Sequence, residues 1–118
     1  MAFRVSLAPQ ALRELDEITN YISRRGSLAI AERWFNKIFA EIYSLSQMPS
    51  RCPISDTSAD AGMEIRMLLH GQRNRQYKVY FTIKVKQRLV HVLHVRHWAR
   101  TPLNGKEWAK ALQEYPND

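Results

Sequence analysis

No Asp or Glu occurs anywhere from Ile65 to Arg100. The same stretch holds Arg66, Arg73, Arg75, Lys78, Lys84, Lys86, Arg88, Arg96 and Arg100, half of the chain's 18 Lys+Arg, and all 4 histidines. Such a segment cannot neutralise its own charge, so it invites an anionic partner: a phosphate backbone, an acidic protein segment, or both in turn. Cysteine is nearly missing as well. Cys52 stands alone, which excludes an intrachain disulfide, fits a reducing compartment, and leaves a structural zinc site without its ligand spacing. Among only 4 glycines there is no Gly-rich phosphate loop, so no cofactor is expected, and no GxSxG nucleophile turn occurs. Long apolar runs are absent too. Arg4 and Pro9 interrupt the start of the chain before a signal-peptide core could form, and no stretch reaches bilayer length. The expectation is therefore a cytoplasmic protein with no membrane partner.

What remains is ordinary in amount and unusual in charge. The 118 residues are 45% hydrophobic and 25% charged, which predicts one domain spanning 1–118 with a single core. A net charge of +7 points to nucleic acid or acidic proteins, although a basic surface can also serve solubility alone.

Phe3 to Leu7 alternates and predicts a first strand. Pro9 suits a first helical position, and Ala8, Ala11, Leu12, Leu15, Ile18 and Ile22 follow helical spacing up to a stop at Gly26. Ala8 falls at the N-cap, where Ser, Thr or Asp would add roughly 1 kcal/mol. Ser27 is a good N-cap for a second helix running to about Met48, before Pro49. Its apolar residues Ala31, Trp34, Phe35, Ile38, Phe39, Ile42, Leu45 and Met48 cover more than one narrow stripe. The short link makes the two helices antiparallel neighbours. Ser50 to Gly62 reads as an exposed loop, and Glu64 to Leu69 as a short strand ended by Gly71. From Gln76 to Val85 the residues Tyr77, Val79, Phe81, Ile83 and Val85 face one way, and Lys78, Tyr80, Thr82 and Lys84 the other, a half-buried strand with a basic outer face. Leu89 to Val95 is apolar on both faces and predicts a more central strand. Gly105 to Tyr115 could form a last helix anchored by Trp108 and Leu112. The fold class is α+β: an N-terminal strand, an antiparallel two-helix hairpin, a three-stranded antiparallel sheet and a possible C-terminal helix, in two layers. Trp34, Ile38, Ile42, Phe81, Leu93 and Val95 are expected to pack between hairpin and sheet.

The helix carboxylates Glu14, Asp16, Glu17, Glu32 and Glu41 are expected to be solvated. On a straight strand His91, His94 and His97 would alternate between faces and could not converge on one metal. The richest cluster is Arg96-His97-Trp98-Ala99-Arg100. Guanidiniums can grip phosphates, an indole can stack on a base, and a histidine can move a proton near neutral pH. Arg66, Arg73 and Arg75 could add charge to that side. A metal-free ribonuclease needs such cations with one acid and one base; equally, Arg96 and Arg100 could bind a protein carboxylate while Trp98 packs.

Along nearly its whole length the chain resembles the RelE/ParE superfamily of type II toxins. Leu7, Pro9, Ala11, Leu15, Ile18, Tyr21 and Ile22 carry the resemblance in the first helix, and Trp34, Ile38, Ile42, Leu45 and Pro49 in the second. Arg66, the strand from Tyr77 to Ile83, and the run from Val90 to Arg100 follow, the last resembling the family's V-x-V-L-x-V-x-H-x-A-R ending. The resemblance implies an α+β toxin that inhibits growth, often in plasmid stabilization, and is held inactive by a cognate acidic antitoxin; operator DNA is reached only through the antitoxin. RelE-like members cleave mRNA on the ribosome, whereas ParE-like members poison DNA gyrase. The long hairpin and the His97-x-Ala99-Arg100 ending look ParE-like. For such a toxin Arg73, Arg75, Arg96, Trp98 and Arg100 are the expected target-binding residues. For a RelE-like ribonuclease His97, Arg66 and Arg96 would be catalytic, and for a plain nucleic-acid-binding module the basic sheet would suffice. The chain departs from the family at Ala8, at Trp98 and in its tail from Thr101.

Overall fold

The computed structural model describes residues 2–100 together with Leu103, Lys106 and Trp108, without the side chains of Asp60 and Asn74. Strand β1 (Arg4–Leu7) leads directly into helix α1 (Pro9–Arg25). Ala8 makes no side-chain cap; instead its own N–H donates to the Val92 carbonyl at 2.8 Å, and its methyl is fully buried. A bulkier capping residue would have to fit that dry space. Gly26 ends α1 with its N–H on the Ile22 carbonyl. Ser27 starts α2 (Leu28–Tyr43) by accepting the Ile30 N–H on its hydroxyl at 3.2 Å.

Helix α2 stops five residues short of the expected Met48. Ser44–Ser46 tightens into a 3₁₀ turn, and Met48 takes a left-handed conformation before Pro49, consistent with the exclusion of helical backbone before proline. The segment from Ser50 to Gly62 is not a simple exposed loop. It contains the short helix α3 (Ser58–Ala61), bridges the sheet at Ile54↔Arg66, and buries Cys52, Ser55 and Ala61.

Strands β2 (Arg66–His70), β3 (Tyr77–Lys84) and β4 (Leu89–His97) form an antiparallel meander, and β1 joins it parallel to β4, giving the order β1-β4-β3-β2. As its apolar pattern implies, β4 is the inner strand between β1 and β3. The hairpin face buries Ala11, Leu15, Ile38 and Ile42 against Val79, Phe81, Val92 and Val95, with Trp34 partly buried against the same cluster. Full burial of such aliphatic side chains contributes about 1.5–3 kcal/mol each.

Two expectations about the sheet need correcting, and one irregularity explains both. Tyr80 pairs with His94 but Phe81 pairs with Val92, so Leu93 is an extra residue in β4. This bulge turns Leu93 away from the hairpin, where it had been expected. It packs on the outer face with Ala61, Ile65, Tyr80, Leu103 and Trp108. That face is therefore apolar around Tyr80 rather than uniformly basic. The bulge also places His91, opposite Thr82, and His94, opposite Tyr80, on the same face, with His97 opposite Tyr77 on the other. The expected helix at 105–115 lies outside the described residues except for Lys106 and Trp108; Trp108 is fully buried, its ring 5.6 Å from Tyr80 and 5.4 Å from His94. Among the described residues no helix is long and apolar enough to cross a membrane.

Candidate functional site

His97 ends β4 opposite Tyr77, and around this pair the aromatic side chains form a file. Trp34 of α2 meets His70 at 6.3 Å and Tyr77 at 5.0 Å between ring centres, Tyr77 meets His97 at 5.3 Å, and His97 meets Trp98 at 6.1 Å. His70 is in turn fixed to α2 by a 2.7 Å contact between its Nδ1 and the Glu41 carboxylate. Trp34, Tyr77 and His97 of this file floor an open groove of about 780 Å³ between the hairpin and the end of the sheet. Its walls are Ile18, Tyr21, Ile22 and Ile30, and its rim carries Arg25, Arg75 and Arg100 against the single carboxylate of Glu17. Arg25 donates from Nε to the Tyr21 hydroxyl at 3.1 Å and lies 5.3 Å from the ring centre.

Arg75 reaches this rim because the link from β2 to β3 turns sharply at Gly71, whose φ is +94°. A Cβ there would lie 2.2 Å from the Arg75 carbonyl oxygen, so only glycine lets the turn close.

The chemistry offered is recognition by an apolar, cation-rimmed surface. Burial pushes the Tyr77 phenol above its ordinary value, helped by nearby Tyr21 and opposed by Arg75. It stays protonated at neutral pH and is a hydrogen-bond donor rather than a base. His97 Nδ1 accepts the Ala99 N–H at 3.2 Å, which fixes the proton of the neutral ring on Nε2.

The expected site residues are divided. His97, Arg75 and Arg100 line the groove together. Trp98 sits beside His97 with 43% of its surface exposed. Arg73 stands in the turn before β3, exposed, with φ 54°. Arg96 is opposite Lys78 on the other face of the sheet and only 8% exposed, because neighbouring strand residues point in opposite directions. Arg66 lies farther away: His70, not Arg66, is level with Tyr77 and His97, and four residues of strand span roughly 13 Å. Its guanidinium is held by the carbonyls of Ser50 and Cys52 at 3.1 and 2.6 Å and by Glu64 at 3.3 Å.

Sequence reasoning did not assign Trp34, Tyr77, Tyr21 or Arg25 to the site. The usable signal was strand register: once His97 is taken to close β4, its cross-strand neighbour is Tyr77. Glu14 was misread as solvated. Its carboxylate, on a side chain 12% exposed, accepts the Val95 N–H at 2.8 Å and contacts His94 Nδ1 at 3.0 Å. Among the described residues no group of three or more His, Cys, Asp or Glu is arranged to hold a metal ion.

Comparison with known proteins places this architecture. No curated protein matches the chain. A solved structure of the chromosomal ParDE toxin–antitoxin system from P. aeruginosa superposes with a TM-score of 0.65 at 16% identity, covering 81% of this chain and 96% of that one. A doubly substituted E. coli toxin RelE in the free state superposes at 0.60 with 12% identity, covering 98% of this chain and 100% of that one. At these identities the likeness is one of fold. Residues 5–102 match the family described as the ParE toxin of the type II toxin–antitoxin system parDE. The chain therefore belongs to the ParE toxin family of type II toxin–antitoxin systems.

Proposed function

We propose that this toxin inhibits growth by binding and poisoning DNA gyrase, without cutting RNA, and that its cognate antitoxin neutralises it by laying an acidic, apolar segment into the His97 groove and along the basic sheet. Family membership implies an antitoxin partner; the groove's apolar walls and its rim of Arg25, Arg75 and Arg100 give that partner its chemistry. The observation that supports the binding reading is that Arg66 and Arg96, two of the three residues expected to be catalytic, leave the groove in which His97 stands. A metal-independent ribonuclease must bring cations, an acid and a base to one phosphate. Here Arg66 is roughly 13 Å along the sheet from His97, and Arg96 is turned to the opposite face.

The test is a gyrase supercoiling assay run beside a translation-coupled mRNA cleavage assay, with His97→Gln in both. Gyrase inhibition by the parent, no cleavage, and most of the toxicity kept by His97→Gln are the expected results. A general acid or base would be needed for turnover, so its replacement would slow cleavage about 10²–10⁴-fold. mRNA cleavage by the parent that disappears in a folded His97→Gln protein would replace this reading with the RelE-like one.

A further inference from the structure

A second cleft of about 400 Å³ lies at the far end of the sheet from His97, around Phe3, Met48, Ile83, Val85, Arg66 and Arg88. It sits at the β3–β4 turn, where Lys84 pairs with Leu89, whereas His97 pairs with Tyr77 at the other end of the same ladder. Two of its residues, Met48 at φ 45° and Arg88 at φ 50°, hold left-handed backbone without being glycine. That conformation crowds a Cβ against the following carbonyl. Met48 also leaves 72% of its surface exposed, and Val85 leaves 71%. Core packing therefore does not account for Met48, and backbone strain joined to apolar exposure points toward a use. A flexible thioether is well suited to contacting a protein partner.

The rim supplies the other half of the chemistry. Arg88 lines the cleft and is exposed in the turn, and Lys86 is exposed in the same turn; Arg4, level with Leu89, is on the opposite face of the sheet from Ile83. Arg66 is partly neutralised by Glu64 at 3.3 Å. A duplex phosphate backbone would use these cations but leave Met48 and Val85 idle. A single strand would need exposed aromatic faces for stacking; the cleft's Phe3 is partly buried against the core, and the exposed indole of Trp98 is at the other end. An extended protein segment with an apolar anchor and flanking carboxylates satisfies both the floor and the rim.

We propose that this cleft is a second docking site, holding such a segment of the toxin's protein target, while the antitoxin neutralises the toxin from the His97 groove. The inference rests on the toxin reading but not on gyrase being the target. It is tested with the double variant Val85→Asp/Arg88→Glu and, separately, Met48→Gly. Three quantities are measured: growth inhibition under titrated expression, affinity for the cognate antitoxin, and melting temperature. The double variant should need at least about tenfold more expression to arrest growth, the equivalent of one lost anchor contact, while its antitoxin affinity stays within about twofold. Met48→Gly should melt at or above the parent, because glycine relaxes the left-handed backbone, and yet be less toxic. That combination also guards against a double variant that fails to fold. Undiminished toxicity in the folded variants overturns the proposal. So does an equal loss of antitoxin affinity, which would make the cleft the antitoxin's seat. A third arm measures the fluorescence anisotropy of a labelled DNA duplex. Loss of salt-dependent duplex binding in the double variant, with full toxicity in Met48→Gly, would assign the cleft to phosphate instead. A parent chain that is harmless without its antitoxin would overturn the toxin reading itself, before any variant is compared.

Discussion

Glu14→Ala should be among the most damaging changes on the helices, although Glu14 lies on a face that reads as polar. Strand β1 ends at Leu7, opposite Val92, so among the described residues no strand pairs with β4 along that edge beyond the bond from the Ala8 N–H to the Val92 carbonyl. The next edge donor, the Val95 N–H, is taken by the Glu14 carboxylate at 2.8 Å, and the same carboxylate meets His94 Nδ1 at 3.0 Å. The side chains of Glu14 and His94 are 12% and 5% exposed, so water has little access. Alanine leaves two buried donors unpaired at about 1–3 kcal/mol each. The combined cost, about 2–6 kcal/mol, is a large part of the roughly 5–15 kcal/mol that holds a domain together. At about 3–6 °C per kcal/mol for a chain of this size, the melting temperature should fall by roughly 6–36 °C. Glu14→Gln should cost less, because its carbonyl still accepts the Val95 N–H and only the His94 contact is lost or weakened. Circular-dichroism melts of both variants, with a double-mutant cycle through His94→Ala, separate the two bonds. An alanine variant melting within about 3 °C of the parent would refute the claim that this carboxylate closes the sheet edge.

Ile38→Ala, at a fully buried position between hairpin and sheet, should cost roughly 2–5 kcal/mol in urea denaturation, and an unchanged midpoint would contradict the layer arrangement. His91 is buried, and burial followed by the charge of Lys84 lowers its pKa. The unfolded chain therefore takes up the proton first, and stability should fall as pH drops below about 6.5 toward the depressed folded value. His91→Gln should flatten that part of the profile in urea midpoints. Gly71→Ala puts a Cβ 2.2 Å from the Arg75 carbonyl oxygen at φ +94°, whereas Gly62→Ala, at φ +72°, meets nothing within 4 Å. Thermal melts should show the first losing about 2 kcal/mol or more and the second about 1 kcal/mol.

Element types were readable because each follows from a local period. Tyr77, Val79, Phe81 and Ile83 alternate, Ala11, Leu15 and Ile18 recur at helical spacing, and Ser27 and Gly26 punctuate the hairpin. The early end of α2 was harder to read, since Leu45 and Met48 continue the apolar spacing while the backbone tightens and then turns left-handed. The bulge was not readable. Nothing in Val92-Leu93-His94 marks an extra residue, because all three are buried and apolar side chains serve either face. Only the tertiary demand to fill the outer cluster around Tyr80 and Trp108 selects which residue is displaced. Glu14 was illegible for a related reason: a carboxylate on an amphipathic helix carries no sequence mark of the strand edge it will close.

The proposed binding site rests on geometry that a contiguous motif conceals. Arg96, His97, Trp98 and Arg100 are neighbours in sequence, but the pleat sends Arg96 to the face of Lys78 and His97 to the face of Tyr77. Beyond β4 the chain curls back on itself, with the Trp98 N–H on the Gln76 carbonyl at 3.0 Å and the Arg100 N–H on the His97 carbonyl at 3.0 Å. That curl brings Arg100 to the groove that Arg75 reaches from the β2–β3 turn. Cations from two turns thus flank an aromatic floor contributed by α2, β3 and β4. Such a frame can hold an acidic, apolar chain along its length, because each contact needs only proximity. Phosphoryl transfer would ask more of it: an acid and a base set on opposite sides of one phosphorus atom, with charge concentrated there. On the proposed reading, the extended apolar walls of Ile18, Tyr21, Ile22 and Ile30 suit a protein segment better than a single phosphorus centre.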